Sequence, residues 1–581
     1  MVYRIAAFAR VTRLKHPVAG AALIPVLALS VTVSIARAQA GPAKPDPLPG
    51  FPVTSDVVVR NCSACHTRDS TGRMSRISYL RKNPEGWQTS VRRMATLNGV
   101  QLDAATAREV VRYLADQQGL APEEAEPGRF EVERRADDYS YKGDKDTEET
   151  CKACHSLGRV ILQRRTKDEW ELLIATHRAY YPVVDFQGFR RFGPPPDSGD
   201  GRHPMDKAIA HLAGAFPLET PTWRAWSATM RAPRLDGAWL LSGNEPGAGP
   251  VHGRVTITAD PKAPDEFTTE ATYTYARDGR TVTRQGRAIV YTGFQWRGRS
   301  TVGSSDTTTL REVLTVGRDW KDISGRWFNG AHDEFGLDVS LRRMGRDVEV
   351  TGAGPEGLKT GGGDQELRLY GANFPASPPM SAFDLGPGVR VTAVKAATPD
   401  MVTLQVRVDS AATIGRRDAY AAGAHLRDAF VVYDKVQRIR VTPLAGMARV
   451  GGGQQPKQLQ QFEVTAYHDG PDGKPNTADD LPLGTVPVTW SVEEYTVTFE
   501  DDDVRFVGTL DQKGLFTPAI DGPNPARPGN RNNVGDVWVV ATWTPPGGGA
   551  ALRARAHLLV TVPLYMRWDP GSAWTAGRPT P

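Results

Sequence analysis

The sequence predicts a multi-domain chain of mixed class, with an N-terminal all-α unit followed by three all-β domains. Three observations lead there. Up to about residue 216 the apolar positions recur at helical spacing behind clear helix starts. Past about Pro221 the pattern changes to short alternating segments broken by glycine turns. Gly 58 and Pro 44 in 581 residues are jointly high, which favours strands and turns over long helical bundles. At roughly 150 residues per domain the length gives about four domains. An apolar share of 40% with 24% charged excludes disordered, collagen-like and polytopic membrane chains. Lys+Arg 71 against Asp+Glu 66 leaves +5, which gives no reason to expect nucleic acid as a partner.

Residues 1–40 read as an export signal outside the folded protein. Arg10, Arg13, Lys15 and His16 form a basic lead, and an apolar run from Val18 to Ile35, broken by Pro25, follows. Small-x-small sites then place cleavage after Ala38 or Ala40. The competing reading is a retained anchor, because the run approaches the roughly 20 residues that span a bilayer. The Pro/Gly-rich linker from Gly41 to Pro52 favours cleavage, so a periplasmic chain with no membrane span after cleavage is expected.

Four cysteines in an exported chain would ordinarily suggest disulfides. Their spacing argues otherwise: Cys62-Ser63-Ala64-Cys65-His66 and Cys151-Lys152-Ala153-Cys154-His155. Two thiols three positions apart, followed at once by histidine, form the attachment signature of haem c. The thiols add to the porphyrin vinyl groups, and the histidine becomes the proximal iron ligand. A redox dithiol or half a zinc site would explain one copy. Two complete copies with no cysteine left over predict two covalent haem c groups, on Cys62, Cys65, Cys151 and Cys154, with iron held by His66 and His155.

An internal repeat locates the sixth ligands. Asn83-Pro84-Glu85-Gly86-Trp87 leads to Met94, and Thr166-Lys167-Asp168-Glu169-Trp170 leads to His177. Asn83 reads as an N-cap with proline at N1, and Thr166 with Glu169 as a capping box. Each Trp precedes its candidate ligand by seven residues, two helical turns, so both lie on one face. Ala107–Leu114 and Lys207–Leu212 close the two repeats, giving a tandem cytochrome c domain (41–222, repeats about 53–120 and 140–216). Met94 is assigned to the first iron and His177 to the second. Core methionine and surface histidine are the plain alternatives. Met74 competes for the first iron, and His203, Met205 and His211 for the second. Thioether ligation would raise one haem's potential and bis-imidazole ligation would lower the other's.

The remaining chain carries strands. Glu270–Tyr291 holds a hairpin at Asp278-Gly279, and Gly237-Ala238-Trp239 and Gly325-Arg326-Trp327 read as similar strand openings, which suggests an antiparallel barrel over 223–346. After a Gly/Pro-rich break, Gly352 to Gly363, the segments Leu367–Pro375, Val389–Val408 and Ala429–Val441 resemble an immunoglobulin-like sandwich (347–441). A second such domain (442–568) has strands at Gln460–Tyr467, Val486–Val492, Val537–Thr544 and Arg553–Val562, and 569–581 is a tail. Asp469 to Asp480 is rich in oxygen ligands, although it lacks EF-hand spacing and contains Lys474, so a surface turn is favoured over a cation loop. Glu500-Asp501-Asp502-Asp503 reads as a solvated acidic turn. His252, His332 and His425 carry no partner pattern.

Taken together, the two haem motifs, Gly86-Trp87 through Met94 with Gly99-Val100, the stretch Tyr180–Gln187, Gly470–Lys474 and Trp490–Glu494 resemble the alpha subunit of quinohemoprotein amine dehydrogenase. The resemblance implies a periplasmic heterotrimer that oxidatively deaminates primary amines. In it a small gamma subunit carries cysteine tryptophylquinone and a beta subunit forms a propeller. The alpha chain would then pass electrons through its haems to an external cytochrome or copper protein, and would supply no catalytic acid or base. A dihaem peroxidase and a free-standing electron carrier are the other classes the sequence admits.

Overall fold

The computed structural model describes residues 50–130, 143–152, 157–181, 184, 202, 204–303, 309–329, 335–452, 455–496 and 502–563. The leader, Cys154, His155, His203, His332 and the 569–581 tail lie outside the described residues. Among those described, no helix is long and apolar enough to cross a membrane.

The N-terminal part is helical and repeats itself. α1 (Asp56–Cys62), β1 (Leu80–Lys82), α2 (Pro84–Asn98) and α3 (Ala104–Gln117) come first, and a short α4 (Pro122–Ala125) leads out. α5 (Lys145–Lys152), α6 (Gly158–Ile161), β2 (Gln163–Arg165), α7 (Lys167–Tyr180) and α8 (Pro204–Ala215) follow. Each repeat closes its own apolar core, one around Trp87, Val91, Val110 and Leu114, the other around Trp170, Ile174, Ala208 and Leu212. The starts are as the sequence reads: the Asn83 side chain accepts the Gly86 N–H, and Thr166 accepts the Glu169 N–H.

The expected capping box at Thr166 is only half formed. The Thr166 N–H donates to Tyr79 O at 3.3 Å, and the Glu169 carboxylate turns away to Arg76 and Arg165. A stronger charge-assisted partner from the other repeat wins over the local cap.

β1 and β2 join the repeats. They pair antiparallel in the register Leu80↔Arg165, Arg81↔Arg164, Lys82↔Gln163. Arg81 and Arg164 stand at the same place in the two repeats, with the offset that relates Trp87 to Trp170. A pseudo-two-fold axis therefore passes between these two arginines. Glu124 sits there, taking Arg81 through both oxygens (2.8 and 2.9 Å) and Arg164 at 3.2 Å. All three side chains are buried. The guanidiniums hold the Glu124 carboxyl down at about 2 against the opposing effect of burial.

The next part is a closed eight-stranded antiparallel barrel. Its strands run Gly237–Glu245, Gly249–Asp260, Ala263–Tyr275, Thr281–Tyr291, Gln295–Thr301, Leu310–Val316, Asp322–Asn329 and Gly336–Arg343, the last pairing with the first. Closure removes the sheet edges, and Trp239, Trp296, Trp327 and Leu314 fill the interior. The hairpin forms where expected, with Gly279 at φ +72° and Asp278 accepting the Arg280 N–H at 3.0 Å. The similarity of Gly325 to Gly237 was misleading. Gly237 opens a strand, but Gly325 lies inside one, where a Cβ would meet Val313 O at 2.3 Å.

Two further β-parts follow. In the first, the sheet of Glu349–Gly354, Asp364–Ala372, Met401–Val408 and Val389–Thr398 shares a core with the sheet of Gly357–Lys359, Ala424–Tyr433, Gly415–Ala421 and Phe383–Asp384. Gly352 to Gly363 is therefore no break, because two edge strands run through it and pass the chain from one sheet to the other. Nor is Ala429–Val441 one strand. It turns after Tyr433, and Arg438–Thr442 pairs with Glu463–His468 in the last part. That part is built on Ala445–Arg449, Leu552–Thr561, Gly535–Trp543 and Thr489–Glu494 around Phe462, Phe516, Val539 and Trp490.

Candidate haem-binding site

α1 begins at a Ser55 cap and ends at Cys62, and the helical turn carries on past it: the His66 N–H donates to Cys62 O at 2.9 Å and the Cys65 N–H at 3.3 Å. This one turn gathers the first attachment signature. His66 Nδ1 lies 2.8 Å from Ser75 O, a carbonyl that only accepts, so Nδ1 carries the hydrogen. Nε2 then holds the lone pair that an iron requires. Cys151 lies at the end of α5 against the second core. Burial pushes its thiol up to about 12, and burial followed by Cys65 raises that of Cys62. Reactive redox dithiols have depressed values, which these thiols lack.

Met94 occupies the last turns of α2. Its sulfur accepts from Asn98 at 3.7 Å, and Gly99, at φ +70°, ends the helix by returning its N–H to Met94 O. His177 stands two turns past Trp170 on α7, with Nδ1 2.8 Å from Leu173 O, which again puts the hydrogen on Nδ1 and the lone pair on Nε2. Burial, and then Arg93 and Arg165, lower its pKa against that hydrogen bond and keep the ring neutral, as metal ligation needs. Both Met94 and His177 are half-buried. Met74 is fully buried in the first core beside Trp87, and Met205 in the second beside Trp170; His211 is half-buried on α8.

The two tryptophans differ in a way the sequence hides. The Trp87 indole N–H donates to Gln118 O at 3.0 Å, whereas that of Trp170, on a side chain only 1% exposed, has no partner. A buried donor left without a partner is where a group with acceptor oxygens, as a haem carboxylate has, would fit. The Cys62–Cys65 thiol pair, the His66 tautomer and this donor fit a haem c group, while Cys154 and His155 of the second signature lie outside the described residues.

Sequence reasoning missed the Arg81–Glu124–Arg164 pivot and the double engagement of Glu169. The available signal was an arginine at the same position in both repeats.

The other candidates bind nothing evident. Arg438 takes Asp469 at 2.7 Å and also Asp480, and Asp479 accepts the Asp472 N–H at 3.0 Å and the Thr477 hydroxyl at 2.7 Å. The 469–480 loop is thus a turn braced by its own hydrogen bonds. Among the described residues no cluster of three His, Cys, Asp or Glu side chains could hold a metal. Asp503 is buried against Arg527, so that end of the acidic run is not solvated. His252 stacks on Tyr370 with centroids 4.2 Å apart, and His425 is paired with Asp418 at 2.8 Å.

Four family models match the chain. The haem-binding model of the quinohemoprotein amine dehydrogenase alpha subunit covers 53–195. The models for domains II, III and IV of that subunit cover 232–344, 347–434 and 439–572. No curated protein matches. Solved structures with some likeness include a redesigned beta barrel (18% identity, 19% of this chain and 92% of that chain, TM-score 0.16). They also include the I9–I11 tandem of titin (10% identity, 53% of this chain and 99% of that chain, TM-score 0.10). Both scores are too low to carry an argument, but the family models cover most of the sequence, in order. The chain belongs to the family of quinohemoprotein amine dehydrogenase alpha subunits.

Proposed function

We propose that this chain is the electron-relaying subunit of a periplasmic amine dehydrogenase, taking electrons from a quinone on a small partner subunit and delivering them to an external cytochrome or copper protein. The observation that carries the reading is the duplicated helical unit, each copy with its own attachment signature and core, joined at one strand pair. Bound haem c supplies a one-electron iron couple. Cys62, Cys65, Cys151 and Cys154 would hold two such groups, with His66 and Met94 on one iron and His155 and His177 on the other. The Nδ1 hydrogen bonds of His66 and His177 orient the rings and leave each Nε2 lone pair available to hold an iron. The two cores exclude water, which limits reorganisation as charge passes. Oxidation of a primary amine releases two electrons, and two one-electron carriers in series can pass them singly to a one-electron acceptor.

The β-parts, more than half the chain, serve in this reading as immunoglobulin-like and barrel surfaces on which the propeller and quinone subunits dock. The first repeat is fixed to the barrel by Arg297–Glu85 at 2.5 Å and by the Thr292 N–H donating to Asp116 at 2.6 Å. Purification of the native complex tests the proposal. A small quinone-bearing chain should accompany this one, and amine should reduce the haems in the complex but not in this chain alone. Rapid peroxide reduction by the isolated chain would replace the proposal with a peroxidase.

A further inference from the structure

At the strand pair that joins the repeats, positive charge exceeds negative charge among the described residues. The Glu169 carboxylate takes Arg76 at 2.9 Å and Arg165 at 3.5 Å. Beside it, Lys82 on β1 donates to Ser90 Oγ at 2.6 Å and places its ammonium 5.6 Å from the Trp87 ring. The Arg165 guanidinium lies over Trp170, also at 5.6 Å. Among the described residues, the charges acting on Lys82 are those of Arg165, Arg93, Arg76 and Glu169, and burial with the guanidiniums pulls its pKa well down. Lys82, Arg76 and Arg165 against one carboxylate in a partly dehydrated seam are costly unless anions join them. Two of these cations also lie against the repeat tryptophans, Lys82 over Trp87 and Arg165 over Trp170.

We infer that Lys82 and Arg165 form a shared seat for the propionates of the two haems, so that the joint between the repeats also sets the haem potentials. The inference rests on the dihaem reading. Two haems bring four carboxylates, enough to balance the excess. A cation next to the porphyrin edge disfavours the ferric state, which carries one more positive charge than the ferrous state, and so raises the potential.

The test uses the haem-loaded chain and three variants. Lys82→Met should lower the midpoint potential of at least one haem and shift the propionate bands in its resonance Raman spectrum. Lys82→Arg should restore both. Glu169→Gln, which removes the only competing carboxylate named above, should move a potential the opposite way, upward. Lys167→Met, on the exposed side of α7, serves as a control and should leave both readouts in place. Potentials and propionate bands that stay put in Lys82→Met and Glu169→Gln, with two haems bound, would overturn the seat but leave the dihaem reading standing. A pyridine haemochrome count below two per chain in the parent protein would overturn the dihaem reading itself.

Discussion

Glu124→Gln is the sharpest test of the joint between the repeats. The substitution keeps the shape of the side chain but leaves Arg81, whose side chain is 0% exposed, and Arg164, at 8%, without their counter-charge. Removing one partner of a buried pair costs about 3–5 kcal/mol. Linkage gives a second figure. Glu124 stands at about 2 against an ordinary 4.5, which corresponds to ~3 kcal/mol. Burial pulls Arg164 down to about 10, which offsets part of that gain, so ~3 kcal/mol is the figure to test. A carboxyl whose folded pKa is depressed stabilises above its unfolded value, and the contribution fades as pH falls from about 4.5 to about 2. Denaturant unfolding of the haem-loaded chain, followed by the haem spectrum to isolate this domain, measures the loss. At neutral pH the variant should be less stable by ~3 kcal/mol, and the gap should close towards pH 2. A neutral-pH loss below ~1 kcal/mol, or a gap that does not change with acid, would refute the reasoning.

Burial lifts Asp116 to about 6 at the contact between the first repeat and the barrel, so its ionised form costs stability as pH rises from about 4 to about 6. Asp116→Asn, which can still accept the Thr292 N–H, should be more stable than the parent at pH 7 by up to ~3 kcal/mol and equal to it near pH 4, as thermal unfolding at both pH values will show. Burial lowers His252 to about 4, so its neutral stack on Tyr370 loses stability as pH falls from about 6.5 to about 4. His252→Phe should flatten that part of the stability–pH curve. Met94→Ala should abolish the thioether-to-iron absorption band while two haems stay attached; an unchanged band would point to Met74, buried in the same core.

What could be read along the chain was what neighbouring residues decide among themselves. The two attachment signatures, the Asn83 and Thr166 caps, the Trp-to-ligand spacing and the Asp278-Gly279 hairpin each depend on a few consecutive residues, because one helical turn or one tight turn fixes the geometry. The change from helical to strand periodicity near Pro221 is equally local and marked the α and β parts. Long-range pairing left no such trace. Whether eight strands close into a barrel depends on Gly336–Arg343 meeting Gly237–Glu245, a hydrogen-bonded ladder between segments about a hundred residues apart. Gly325 shows the same limit, since only the approach of a neighbouring strand separates it from Gly237.

The seam between the repeats was decided in the same way. Residue type alone made Glu169 half of a capping box, but folding brought Arg76 and Arg165 within reach, and a charged partner in a half-dehydrated site outweighs a backbone N–H. Arg81, Arg164 and Glu124 look like ordinary surface charges in sequence, and become the pivot between the two helical repeats only when β1 and β2 bury them together. The sequence could therefore name candidate groups for haem attachment, because covalent and coordination chemistry demand fixed local spacing. The electrostatic field in which those haems would work depends on distances through space, and the tertiary structure alone sets those.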